Sequence, residues 1–388
     1  MIKISEVANS VQPSLTRKLF NMAKEYDNVI DFTLGDPDVP TADGIKAAAC
    51  AAIHENKTRY SQNAGILSLR EAISNYNKVK EGLHYEADSE IIVTVGAMEG
   101  LYLSLLALID EGDEVIIPAP YYVNYVQMVN MCHGKPIVVE NHEDPLRISI
   151  DAIKAALTSR TKLILLNTPS NPTGKVVTAN ELNEIALIAK EKDIMVVTDE
   201  VYKCLIYNGI RPQSIASLPD MKERVIYINS MSKEFCMTGW RLGYVMGPKE
   251  IIAAMTKLQE NVVACAPLPS QYAAIEAMRT DVDYSANMAM IFAHRRDVLV
   301  DEFRKITKLH CLPPESTFYA MVDISKTGMK SEEFAYELLK AVQVAVVPGV
   351  TYGKMCDNYV RLAFTLNEDK IIEGIRRIGK FADRKSVV

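Results

Sequence analysis

No run of about eighteen uninterrupted apolar residues occurs in the chain, so nothing in it reads as a membrane span. The opening Met1-Ile2-Lys3-Ile4-Ser5-Glu6 has no apolar core, and a secretory leader is not expected. Basic residues show no excess. Lys plus Arg number 43 against 49 Asp plus Glu, a formal net charge of −6. That balance argues against a general nucleic-acid binder, while leaving room for a local basic pocket that takes a small anion. The seven cysteines (Cys50, Cys132, Cys204, Cys236, Cys265, Cys311, Cys356) are scattered, odd in number and form no C-x-x-C pair. They read as buried free thiols of a soluble cytoplasmic protein. The six histidines include no H-E-x-x-H and no metal-like cluster. Repeats and low-complexity tracts are missing as well. What remains is ordinary globular composition, 48% hydrophobic and 24% charged over 388 residues. At roughly 150 residues per domain, two to three domains are expected.

Between about residues 90 and 250, short apolar runs alternate with segments of helical period. Ile91–Val95, Glu114–Ile117, Lys162–Leu166, Ile194–Val197 and Arg224–Ile228 read as strands. After the first comes a buried helix carrying Met98, Leu101, Leu105 and Leu108. Thr178-Ala179-Asn180-Glu181 is a capping box that opens another helix through Leu182, Ile185 and Ala189. Strands apolar on both faces and alternating with helices indicate a mostly parallel α/β sheet covered on both sides. Residues 1–45 read as an extended arm that contributes to a smaller domain, and 46–284 as the large domain. From 285 to 388, helices such as Ser331–Val342 interleave with strands such as Thr317–Val322 and Tyr359–Phe364, so a small α+β domain built from both chain ends is expected.

Ligands of open α/β sheets bind beyond the carboxyl ends of the strands. Those ends carry Gly96-Ala97, Pro120-Tyr121-Tyr122, the run from Asn167 to Gly174, Asp199-Glu200-Val201-Tyr202 and Ser230-Met231-Ser232-Lys233. A helix N-terminus, aromatic rings, an amide, a carboxylate with a phenol, and a lysine with hydroxyls thus meet on one rim. Such a set suits an anionic, planar, carbonyl-bearing ligand. Other nucleotide motifs fail. Gly96-Ala97-Met98-Glu99-Gly100 lacks dinucleotide spacing, Gly174-Lys175 lacks the earlier glycine of a P-loop, and Pro172 bars glycosylation at Asn171.

Ten stretches occur in the order of a known family: Gly35-Asp36-Pro37-Asp38, Tyr60 with Gly65 and Leu69–Ile73, Val95-Gly96-Ala97, Pro120-Tyr121-Tyr122, Asn171-Pro172-Thr173-Gly174, Asp199–Tyr202, Ser230–Lys233, Gly239-Trp240-Arg241-Leu242-Gly243, Pro348-Gly349 and Arg361. Through them the chain resembles the class I aminotransferases, pyridoxal 5'-phosphate enzymes of fold type I with aspartate and aromatic aminotransferases among them. The resemblance implies a mostly parallel seven-stranded sheet and a homodimer.

It also implies roles. Lys233 would form a Schiff base with the cofactor aldehyde and then shuttle the substrate α-proton, which requires a neutral amine favoured by desolvation and by Arg241. Asp199 would pair with the pyridine nitrogen. Asn171 and Tyr202 would hydrogen-bond the phenolic oxygen. The amides of Ala97 and Met98, the hydroxyls of Ser230 and Ser232, and Arg241 would hold the phosphate. Tyr122 would stack on the ring, with Tyr121 as the alternative, and Tyr60 would reach the neighbouring subunit's phosphate. Arg361 would clamp the substrate α-carboxylate beside the Gly35 backbone, with Asn171 and Tyr122 also against the substrate. Taken singly, each has a plainer reading: a surface lysine, a helix-capping aspartate, a packed tyrosine, a solvated arginine.

Met98 stands where some aspartate-using relatives carry lysine, and a flexible thioether suits an apolar or aromatic side chain. Ser316 and Ala42 replace a glycine and a proline of the family pattern. The expected reaction is ping-pong transfer of an amino group from a neutral or aromatic L-amino acid to a 2-oxo acid such as 2-oxoglutarate. Aspartate aminotransferase and a carbon–sulfur β-lyase on the same scaffold are the alternatives. A cofactor-sensing regulator would need a DNA-binding module ahead of the arm and fits less well.

Overall fold

The computed structural model describes residues 3–11, 15–280 and 282–384; the outermost ends of the two terminal segments, 1–2 and 385–388, lie outside the described residues. A seven-stranded sheet is made of β1 (Ile91–Thr94), β2 (Glu114–Pro118), β3 (Lys135–Val139), β4 (Thr161–Asn167), β5 (Met195–Asp199), β6 (Val225–Ser230) and β7 (Gly243–Met246). Their spatial order is β1-β7-β6-β5-β4-β2-β3. All pairings are parallel except those of β7, which runs antiparallel to β1 and β6. Val115–Ile117 and Leu163–Leu166 are buried on both faces, as helices on each side require.

The apolar runs identify five of these strands, and β3 and β7 escape them. β3 is an edge strand that opens Lys135-Pro136 and stays largely open to solvent, so it never needed a continuous apolar run. β7 is four residues long and directly follows a turn. The capping box forms as read. Glu181 N donates to Thr178 Oγ1 at 3.3 Å, and Glu181 Oε2 accepts from Thr178 N at 2.7 Å.

A second core gathers both chain ends. Tyr319–Asp323 and Tyr359–Ala363 pair antiparallel at the centre of a four-stranded sheet, and the helix Ser331–Val342 packs with them. Ile30–Asp31 lies parallel to Val344–Ala345 and draws the N-terminal segment onto the C-terminal one. That segment departs from an extended arm, since it holds helices Glu6–Ser10 and Leu15–Ala23. Leu15, Leu19 and Ala23 recur every fourth residue, and Leu19 and Ala23 are buried in the second core.

Register sets the site. Asn167 lies opposite Asp199, and Asp199 opposite Ile228, so β4, β5 and β6 end at one rim. The turn after β5 carries Val201, Tyr202 and Leu205 out of the large sheet into the second core. The cavity lies at this junction.

Candidate active site

A cavity of ≈ 440 Å³ opens at that rim, within the range of small-molecule sites. Every site residue expected from the sequence lines it except Tyr60. Tyr60 is 89% exposed on the surface of this chain. Tyr122 lines the cavity and Tyr121 does not.

Lys233 belongs to a short helix, Met231–Glu234, that starts where β6 ends. Its Nζ donates to the Gly35 carbonyl at 2.7 Å. Burial pushes the amine down to about 8. Arg241 and Arg361 push the same way, while Asp36 and Asp199 oppose them. A lysine so tuned is a competent nucleophile and base near neutral pH.

Asp199 ends β5 and is buried. Tyr125 donates its phenol to Asp199 Oδ2 at 2.7 Å, and Val201 N donates to Oδ1 at 3.3 Å. Burial pushes the carboxyl up to about 6 in spite of these two hydrogen bonds, which favour the charged form. Tyr125 was not among the expected residues. It follows Tyr122 by three positions and sits in the helix Asn124–Met131, and that spacing was the available signal. The two rings meet edge to face at 5.5 Å. Tyr125→Phe is expected to weaken cofactor binding about tenfold at pH 7, because a buried carboxylate loses a charge-favouring donor. Equilibrium titration of the apoprotein measures it.

Arg361 is 4% exposed and held at both ends of its fork. Nη1 donates to Asn171 Oδ1 at 3.0 Å and Nη2 to the Thr33 carbonyl at 2.5 Å. The guanidinium lies over the rings of Tyr319 at 4.3 Å and Tyr352 at 5.2 Å. Nε is buried with no partner among the described residues. Asn171 is itself placed by its backbone N–H, which donates to Asn167 Oδ1 at 2.8 Å. The Tyr202 phenol touches that of Tyr319 at 3.2 Å. Thr33, Asn167, Tyr319 and Tyr352 complete this wall; Asn167 and Tyr319 stood in stretches the sequence reading named, while Thr33 and Tyr352 did not.

At the other end the helix Gly96–Leu108 begins, and Ala97 and Met98 in its first turn line the cavity. Ser230 Oγ donates to Ser232 Oγ at 2.8 Å, and Arg241 Nη1 donates to the Thr238 carbonyl at 3.0 Å. Gly96 has φ +75°, and a Cβ there would stand 2.6 Å from Arg241 Nη2. Glycine is therefore required for the guanidinium to approach the helix N-terminus. The Met98 thioether accepts from Asn124 Nδ2 at 3.8 Å on the wall beside Tyr122. Arg17, from the helix Leu15–Ala23, lines the cavity as well.

The site combines a lowered amine, an anionic strand end, a cationic helix terminus and a fixed guanidinium. Residues 27–378 match the family model described as aminotransferase class I and II. Among similar proteins is aromatic-amino-acid aminotransferase 2 of Thermococcus litoralis, 35% identical and covering 99% of this chain and 100% of that one. The aspartate aminotransferase of Pyrococcus abyssi is 37% identical, covering 99% of each chain. A crystal structure of an aromatic aminotransferase from Pyrococcus horikoshii superposes with a TM-score of 0.90 at 36% identity, covering 95% of this chain and 100% of that one.

Proposed function

The chain belongs to the aminotransferase class I and II family, whose members use pyridoxal phosphate, and from this premise we propose that it moves the amino group of a neutral or aromatic L-amino acid to 2-oxoglutarate in two ping-pong half-reactions. The carrying observation is that the lowered Lys233 amine and the doubly held Arg361 face one cavity.

The residues fit the cofactor. The cradle at Gly96, with two helix amides, two serines and Arg241, suits a phosphate. Asp199 suits a protonated ring nitrogen, and Tyr122 a ring face. Asn171 and Tyr202 suit the ring's phenolic oxygen. When bound, the cofactor supplies an aldehyde for amino groups and a ring that withdraws electrons. The chain's own residues do the rest. Arg361 receives the substrate α-carboxylate beside Gly35 and orients the Cα–H bond. Lys233 Nζ takes the α-proton and returns it. Tyr319 and Tyr352 keep water from the guanidinium.

Substrate preference follows from the walls. Met98, Tyr122 and Val123 offer an apolar surface to a donor side chain. Arg17 supports a second reading, because it brings a cation for the distal carboxylate of 2-oxoglutarate or of an aspartate donor. A panel of donors assayed with 2-oxoglutarate separates them. Aromatic donors are expected to exceed aspartate in kcat/KM by about tenfold, the scale of one pocket group. Strong aspartate preference with negligible aromatic turnover would replace the first reading by the second. Pyruvate and ammonia released from cystathionine would mark a β-lyase.

Three further points belong to the same proposal. The enzyme works as a homodimer in which Tyr60 reaches the partner's phosphate, supported by the exposure of that ring. It works in the cytoplasm, supported by seven unpaired cysteines; no helix among the described residues is long and apolar enough to cross a membrane. Residues 1–45 and 285–388 form the part that closes over Arg361, and 46–284 the part that holds the cofactor.

A further inference from the structure

Three residues that face the cavity are each followed by a charged residue buried outside it: Lys233 by Glu234, Asp199 by Glu200 and Tyr202 by Lys203. The last two meet. Lys203, with 4% of its side chain exposed, sits 3.1 Å from Glu200 Oε2 and 2.6 Å from Glu81 Oε2. Glu200 accepts two hydrogen bonds at Oε1, from Thr198 Oγ1 at 3.1 Å and Ser214 Oγ at 2.6 Å. Glu81 ends the helix Leu67–Glu81. One cation therefore ties the turn after β5 to a distant helix.

Burial alone would lower the Lys203 ammonium, but Glu200 and Glu81 outweigh it and hold the group above the ordinary lysine range. Clusters of this kind contribute little net stability compared with apolar packing of the same volume. Its place in the fold gives it another use. Burial is the main force on the Asp199 carboxyl toward its neutral form, and Glu200, next to it in the chain, adds to that push. Lys203 is the charge that neutralises Glu200.

We propose that Lys203 is a positioning residue for the reaction: clamped between Glu81 and Glu200 behind the turn, it offsets the charge of Glu200 and keeps Asp199 anionic and directed into the cavity. The inference rests on the reading of Asp199 as partner of the cofactor ring nitrogen. Besides Glu200, the groups facing Asp199 are Tyr125, Tyr122, Tyr202 and Lys233. Those facing Lys203 are Glu81, Glu200 and, at 5.8 Å, the ring of Tyr227; Lys80 and Glu234 lie beyond Glu81. None of these offers a second buried cation on the Glu200 side.

The test uses the full-length apoprotein with 13C-labelled aspartate carboxyls, the Asp199 signal being identified by its loss in Asp199→Asn. In Lys203→Met the Asp199 titration midpoint is expected to rise by about one pH unit, and pyridoxal phosphate affinity to fall about twofold at pH 7 and approach a tenfold loss below about pH 5. Lys203→Arg should restore both. Glu200→Gln should move the midpoint the opposite way, downward, which loss of packing would not do. A folded Lys203→Met with an unmoved midpoint overturns the proposal. So does a midpoint that moves the same way in both variants. Should Lys203→Met not fold, Glu200→Gln decides alone, and a midpoint that does not fall is then fatal. The carboxyl titration is read without cofactor, so a wild-type protein that fails to transaminate would defeat the functional reading and leave this coupling intact.

Discussion

Lys233→Ala should lower turnover by at least about 10⁴-fold with every donor, the upper range for loss of a positioned base that is also the nucleophile. The protein should still fold. Burial of the Lys233 amine works against the folded state: the amine titrates at about 8 in place of 10.5. The unfolded chain keeps its proton up to the higher value, so stability from this group rises with pH across that interval and its cost is fully present below about 8. That cost is roughly 3 kcal/mol at neutral pH. Calorimetry of the apoproteins at pH 7 should place Lys233→Met at or above wild type, because the methionine keeps most of the apolar stem and removes the charge. Capture of pyridoxal phosphate by the wild-type apoprotein should accelerate about tenfold per pH unit below about 8 and level off above it, as the neutral amine becomes the dominant form. Stopped-flow absorbance reads this directly. Undiminished turnover in Lys233→Ala would falsify the assignment of the base.

Asp199 bears the same kind of cost with the opposite sign in pH. Its carboxyl titrates at about 6, where 3.8 is ordinary. The folded form holds its proton longer, so its contribution to stability falls as pH rises from about 4 through 6. Near neutral pH both groups are thus held against their solvation preference. Arrangements like this accumulate at functional sites, where an arriving partner relieves them.

Much of this is legible in the sequence, and the reasons are local. Parallel strands buried on both faces must be continuous apolar runs, so β2, β4, β5 and β6 announced themselves, as did β1. Their carboxyl ends then located the rim, and the family-ordered motifs placed Lys233, Asp199, Asn171, Tyr202, Arg241 and Arg361 on it. What escaped had no pattern of its own. β3 is an edge strand and β7 follows a turn. Tyr125 looks like any helical aromatic until Asp199 is brought against it. Thr33 acts through its carbonyl, which no side-chain motif records. Lys203 reads as a surface charge, and only the approach of Glu81 from 122 residues earlier in the chain makes it a buried one. Contacts across such separations depend on tertiary packing, which neither period nor propensity encodes.

Arg361 shows how much rests on such contacts. Its fork is held by Asn171 on one side and the Thr33 carbonyl on the other, and two tyrosine rings flank its plane. The two holding groups come from different parts of the fold: Asn171 follows β4, and Thr33 belongs to the N-terminal segment. The guanidinium is therefore oriented before substrate arrives, and little rotational freedom remains to be lost on binding a carboxylate. Arg361→Leu should reduce kcat/KM by roughly 10²–10³-fold, the scale for removing one partner of a buried charged pair. Most of the loss should lie in KM, with a smaller part in kcat from poorer orientation of the Cα–H bond. Arg361→Lys should recover little, because an ammonium cannot span Asn171 and Thr33 while presenting two parallel donors to a carboxylate. The amine form of the substrate without its carboxylate provides the control. Phenethylamine in place of phenylalanine should react equally slowly with wild type and Arg361→Leu, since neither pair contains the ion contact. If Arg361→Leu impaired both amines alike, the arginine would be supporting the fold of the small domain, and some other group would have to receive the carboxylate.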